Sequence, residues 1–153
     1  SEICLKSEED GKAMRSDHRI NTKFEFIDEG IAMATMYAAN HIGATGIASL
    51  TESGSTALWM SRISSGIPIY AMSRSEHTRR RVTLYRGVYP VEFQSLDTSH
   101  AEVNAKAIAL MSSTHLVNDG DIVIITKGDL MGALGGTNAM KIIRVGEEMP
   151  TKS

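Results

Sequence analysis

The segment Thr51-Glu52-Ser53-Gly54-Ser55-Thr56 places four hydroxyl side chains and a glycine within six residues, between the apolar run GIASL and the helical pattern ALWMSRI. Backbone N–H groups at the start of a helix have no earlier carbonyl to bond, so they point outward as donors for an anion. Hydroxyls of Thr51, Ser53, Ser55 and Thr56 can add donors, and Gly54 permits close backbone approach and dihedrals that a side chain resists. A loop of this kind can hold a phosphate without a lysine. The competing reading is a plain helix cap, in which Ser53 satisfies the helix start and the other hydroxyls face water. Glu52 repels an anion unless it points away.

A second glycine-rich stretch, Gly128-Asp129-Leu130-Met131-Gly132-Ala133-Leu134-Gly135-Gly136-Thr137-Asn138, lacks both the Lys-Ser/Thr ending of a P-loop and the spacing of a dinucleotide fingerprint. Taken alone it reads as a connection to the last strand; its functional reading is a lid over a ligand held elsewhere. Arg79, Arg80 and Arg81 are consecutive, so on a helix they fan apart and cannot all aim at one phosphate. The histidines show no paired metal-ligand spacing, and no G-x-S-x-G elbow occurs. The methionines and Trp59 fall in helical apolar patterns that suit a core. These patterns predict no catalytic residue and no metal ligand in the chain.

The elements that must position these loops follow from hydropathy. A chain of 153 residues, 42% hydrophobic and 22% charged, suits one folded domain and not a disordered segment. Its 16 basic and 18 acidic residues give a net charge of -2, which argues against a general nucleic-acid binder. Cys4 is the single cysteine, so no internal disulfide can form, and a reducing, cytoplasmic setting is expected. No long apolar run marks a membrane span. Residues 1–26 mix charges with few apolar anchors and read as a linker, leaving 27–153 as the domain. Helices are predicted over Asp28–His41, with Ile31, Ala34, Ala38 and Ile42 on its apolar face, over 57–63, over 76–85, and over His100–Leu116, with Ala105, Ile108, Ala109, Ser112 and Leu116 inward. Strands are predicted at GIASL, IPIYAMS, VYPVEF, DIVIIT and MKIIRVG, with everything from Lys127 to Asn138 left as a loop. Alternating strands and helices predict an α/β fold with a mainly parallel sheet, helices on both faces, and ligands beyond the strands' carboxyl ends.

In combination, MYAANHIGA, LTESGSTALWMSRISSGIPIYAMSRSEHT, LYRGVYPV, GDIVIITKGD and GGTN resemble the carboxy-terminal domain of bacterial pyruvate kinases, most of all the second bacterial isozyme type. The resemblance implies a three-layer α/β domain with a mostly parallel five-stranded sheet and one antiparallel edge strand, following a catalytic barrel of which residues 1–26 would be the exit. It implies that Thr51, Ser53, Gly54, Ser55 and Thr56 grip an effector's phosphate and that Gly135, Gly136, Thr137 and Asn138 close over its sugar. It also implies that the Mg2+ and K+ of the enzyme belong to the barrel, that this chain alone is catalytically inactive, and that the whole enzyme is a cytoplasmic homotetramer with no nucleic-acid or membrane partner. Relatives activated by a sugar bisphosphate carry a tryptophan and an arginine where this chain reads EFQSLDTSHAEV; their lack favours a sugar monophosphate or AMP as effector. The alternative is a freestanding sugar-phosphate-binding or oligomerisation module.

Overall fold

A computed structural model describes residues 23–63, 65–94, 99–128 and 136–147. In chain order it forms α1 (Ile27–Ile42), β1 (Gly46–Leu50), α2 (Ser55–Ser61), β2 (Ile69–Ser73), α3 (Glu76–Val82), β3 (Val88–Glu92), α4 (His100–Ser113), β4 (Ile122–Gly128) and β5 (Thr137–Arg144). The five strands make one sheet in the order β3-β2-β1-β4-β5. Strands β1 to β4 are mutually parallel, and β5 runs antiparallel to β4 at the edge. The three-layer, mostly parallel architecture therefore agrees with the reading of the sequence.

Every residue of β1 and β2 is buried, as expected of parallel strands covered on both faces. Side chains alternate between the faces. Ile47, Ile69, Val88 and Ile124 meet Met36 of α1, Met60 of α2 and Val82 of α3 on one side. Leu50, Met72, Val123 and Ile125 meet Val103, Ala107 and Met111 of α4 on the other. Each fully buried side chain of this size contributes about 1.5–3 kcal/mol relative to exposure, so these two layers dominate the stability of the domain.

Helix ends are chemically marked. At the end of α1, Gly43 adopts a left-handed φ of 77° and its N–H bonds the carbonyl of Ala39, the cap geometry that glycine favours. Ser75 and Ser99 cap α3 and α4 by accepting the N–H of Thr78 at 3.2 Å and of Glu102 at 3.3 Å, each satisfying one otherwise orphaned donor.

Two sequence expectations shift. The inward stripe of α1 is Ala32, Thr35, Met36 and Ala39, while Ala34 is exposed and Ile42 is 43% exposed. In α4 the buried residues are Val103, Asn104, Ala107 and Met111, with Ala105 and Ala109 outside. Alanine-rich helices offer several stripes of nearly equal hydropathy, and close packing on the sheet selects among them. The second shift concerns the glycine-rich connection: Lys127 and Gly128 complete β4, and Thr137 and Asn138 open β5. Gly128 is obligatory there because a Cβ would run into the backbone carbonyl of Gly136, so the two ends of the connection touch.

Candidate anion-binding site

The Thr51–Thr56 segment leaves β1 at the carboxyl edge of the sheet and enters α2. Its path is fixed from below by the Thr51 N–H, which donates to the carbonyl of Met72 at 3.0 Å. Gly54 is the residue before α2, with φ 84° and no side-chain cap, so the first-turn amides of Thr56 and Ala57 receive no capping oxygen. The Gly54 N–H turns back to Thr51 Oγ1 at 2.8 Å. The Ser55 N–H donates to Ser53 Oγ at 3.2 Å. Ser53 thus satisfies one amide of the helix start, which is part of the plain-cap reading.

The hydroxyls form a directed chain. Ser53 Oγ donates to Ser55 Oγ at 3.2 Å, and Ser55 Oγ donates to Asp28 Oδ2 at 2.9 Å. Asp28 is 7% exposed, and its other oxygen accepts the N–H of Glu29 at 2.9 Å in the first turn of α1. Thr56 differs from its neighbours: its side chain is fully buried, and its Oγ1 has no hydrogen-bond partner among the described residues. Glu52 points to Arg74, with the Arg74 Nε 3.4 Å from its carboxylate, and the Thr78 hydroxyl donates to its carbonyl. The charge that threatened the site is therefore answered by a cation.

Gly136, Thr137 and Asn138 lie at the start of β5, at the same sheet edge as Thr51 but separated from it by β4. Thr137 is buried and Asn138 exposed; Gly135 lies outside the described residues. Arg80 and Arg81 project outward from α3 to Glu76 and His77, whereas Arg79 bends back to donate to the Ser73 carbonyl at 2.8 Å. The three arginines do fan apart.

Sequence reasoning missed two charged residues here. Asp28 enters the sequence reading only as the first residue of a predicted helix. Lys127 is 7% exposed and donates to Asn104 Oδ1 at 2.8 Å and to the His100 carbonyl at 3.1 Å. It stands with His100, Asn104, Ile125, Met140 and Lys141 around an open cleft of about 460 Å³ between α4 and the β4–β5 pair. A lysine directly after a β-branched run was the available signal. Among the described residues no group of three His, Cys, Asp or Glu side chains is arranged to hold a metal ion, and no helix is long and apolar enough to cross a membrane.

A parallel sheet with three helices on one face, one on the other, and a hydroxyl-lined strand–helix loop at its carboxyl edge defines an α/β domain of the kind that presents small-ligand sites on loops. The family described as "Pyruvate kinase, alpha/beta domain" matches residues 29–143. The pyruvate kinase of Buchnera aphidicola subsp. Schizaphis graminum is 44% identical over 146 residues, covering 95% of this chain and 30% of that protein. Pyruvate kinase II of Salmonella typhimurium is 46% identical over 144 residues, covering 94% of this chain and 30% of that protein. A pyruvate kinase of Staphylococcus haemolyticus is 33% identical over 147 residues, covering 96% of this chain and 25% of that protein. The chain belongs to the pyruvate kinase family, as its α/β domain. It spans 25–30% of the length of these relatives.

Proposed function

We propose that this chain is the effector-binding and oligomerisation domain of a cytoplasmic pyruvate kinase, an enzyme that moves the phosphoryl group of phosphoenolpyruvate to ADP, and that its ligand is a sugar monophosphate or AMP. The observation that carries the reading is the Thr51–Thr56 loop. A helix start entered through a left-handed Gly54, with the part-buried hydroxyls of Ser53 and Ser55 beside it and those of Thr51 and Thr56 beneath, lies at the carboxyl edge of the parallel strands, where the helix dipole favours an anion. Glu52 is turned to Arg74, which leaves the loop open to a phosphate. Ordering of the Gly128–Asn138 connection over the bound sugar would alter the surface seen by neighbouring subunits and so bias their packing. Mg2+ and K+ would serve the catalytic barrel of the whole enzyme.

A thermal-shift titration of this chain with ribose 5-phosphate, glucose 6-phosphate, AMP and fructose 1,6-bisphosphate tests the reading, because a ligand selective for the folded state raises the midpoint with its concentration. A monophosphate is expected to give the largest shift, and Ser53→Ala to abolish most of it. No shift with any of the four, together with intact activation of the full-length enzyme carrying Ser53→Ala, would remove the effector site. A freestanding binding module would instead respond to a phosphate without any effect on a kinase.

A further inference from the structure

We propose that Asp28 is a specificity-determining residue of the Thr51–Thr56 loop: its carboxylate draws the loop's hydroxyl protons towards itself, and an incoming anion must outcompete it. The inference rests on the reading that this loop binds phosphate.

A hydroxyl has one proton to give, and an ionised carboxylate can only accept. Ser53 spends its proton on Ser55 Oγ at 3.2 Å, and Ser55 spends its own on Asp28 Oδ2 at 2.9 Å. The relay runs one way and ends on a negative charge. Two of the four hydroxyls that make the loop attractive to an anion are therefore committed in the opposite direction. Asp28 needs only one oxygen for its helix-start role, the one that accepts the Glu29 N–H at 2.9 Å; the other is given to a residue 27 positions away. It makes this contact from a position 7% exposed, where solvent screens charge weakly. A phosphate in the loop must reverse the Ser53 and Ser55 protons and tolerate Asp28 as a near neighbour. The barrier is charge-dependent: it penalises a dianion twice as much as a monoanion, and only a ligand able to take several donors at once repays it. Because the other carboxylate oxygen holds the first turn of α1, occupancy of the loop is transmitted to that turn.

The test is a ¹⁵N–¹H NMR titration of the chain and its Asp28→Asn variant at pH 8 with two probes of matched shape, methyl phosphate as dianion and methyl sulfate as monoanion. Methyl phosphate is expected to move the Gly54 and Ser55 amide signals and, in the unmodified chain, the Glu29 amide as well. Asp28→Asn should lower the Kd for methyl phosphate about tenfold and for methyl sulfate about threefold, as expected for one charge removed from a weakly screened site. Asp28→Ser keeps an oxygen at the helix start and should act in the same direction, so poor folding of one variant does not protect the idea. An unchanged or raised phosphate Kd in both variants, with Gly54 still responding, makes Asp28 a helix-start residue only and overturns the proposal. An equal gain for both probes does the same, since a purely structural effect would ignore ligand charge. Silence of Gly54 and Ser55 towards both probes in every protein removes the phosphate-loop reading itself, and the proposal with it.

Discussion

Thr51 and Gly54 close a small buried ring at the entrance to α2: the Gly54 amide donates to the Thr51 hydroxyl at 2.8 Å while Gly54 holds a left-handed φ of 84°. The ring curls the loop away from the line of β1 and into α2. Glycine is favoured here by that left-handed φ, and a Cβ would also stand 3.0 Å from Val82 Cγ1, close enough that the valine would have to give way.

Gly54→Ala is therefore expected to lose about 2–4 kcal/mol, combining the left-handed penalty with overpacking against α3. Urea unfolding should show a lower midpoint at unchanged slope. A loss under 0.5 kcal/mol would mean that the loop readily adopts another path.

The Glu52–Arg74 pair has more to do with ligand charge than with stability. Arg74 is half-exposed, and its Nε lies 3.4 Å from the Glu52 carboxylate, a geometry that contributes about 0–1 kcal/mol at a surface. Arg74→Ala is expected to leave the melting midpoint nearly unchanged but to weaken phosphate binding roughly threefold by exposing the loop to Glu52. Restoration by Glu52→Gln in the same protein, and shrinkage of the effect at 0.5 M salt, are the checks; a deficit that survives Glu52→Gln would mean that Arg74 contacts the ligand itself.

Much of this architecture is legible in the residues, and the remainder is hidden for identifiable reasons. The run GIASL was bounded correctly as Gly46–Leu50 because polar residues flank it and every side chain within it is compatible with burial. The end of β4 was missed because Lys127 and Gly128 look like loop residues; Asn104 and the His100 carbonyl, which make the lysine tolerable in the interior, come from a helix over twenty positions earlier. The inward stripe of α1 was displaced because alanines populate several of its faces. Asp28 was fully explained by its local helix position, so nothing in the sequence asked for Ser55 as a second partner. The hydroxyls of the loop were visible, but the directions of their protons depend on that crossing of α1 and α2.

Tyr70 carries a pH signature on the α4 side of the sheet. It is buried between strands beside Tyr89, with the rings 6.0 Å apart, and burial, followed by the neighbouring Tyr89 phenol, raises its pKa above the usual 10.0. The unfolded chain thus releases this proton at lower pH than the folded domain. Stability must fall as pH rises through 10 and continue falling until the folded phenol also ionises. Tyr70→Phe is expected to flatten the decline above pH 10, which urea midpoints across the alkaline range would reveal; an identical slope in both proteins would assign the alkaline loss to other groups.

Ser49 and Thr126 are register partners on β1 and β4, and like Thr56 Oγ1 their hydroxyls are buried without a hydrogen-bond partner among the described residues. A buried unpaired hydroxyl costs free energy that an apolar group of the same shape does not. Thr126→Val, which keeps the branched shape suited to a strand, is expected to gain about 1 kcal/mol and to raise the melting midpoint by a few degrees. Thr56→Val removes the same kind of unsatisfied oxygen and should be stabilising to a similar degree. The two positions separate in binding: Thr126→Val should leave phosphate affinity unchanged, whereas Thr56→Val should weaken it about tenfold, the loss of one good hydrogen bond to a charged ligand. Stabilisation by both with a binding loss in only one would mean that Thr56 keeps its costly hydroxyl for the ligand. Equal binding by both variants would instead assign Thr56 to the core with the other two.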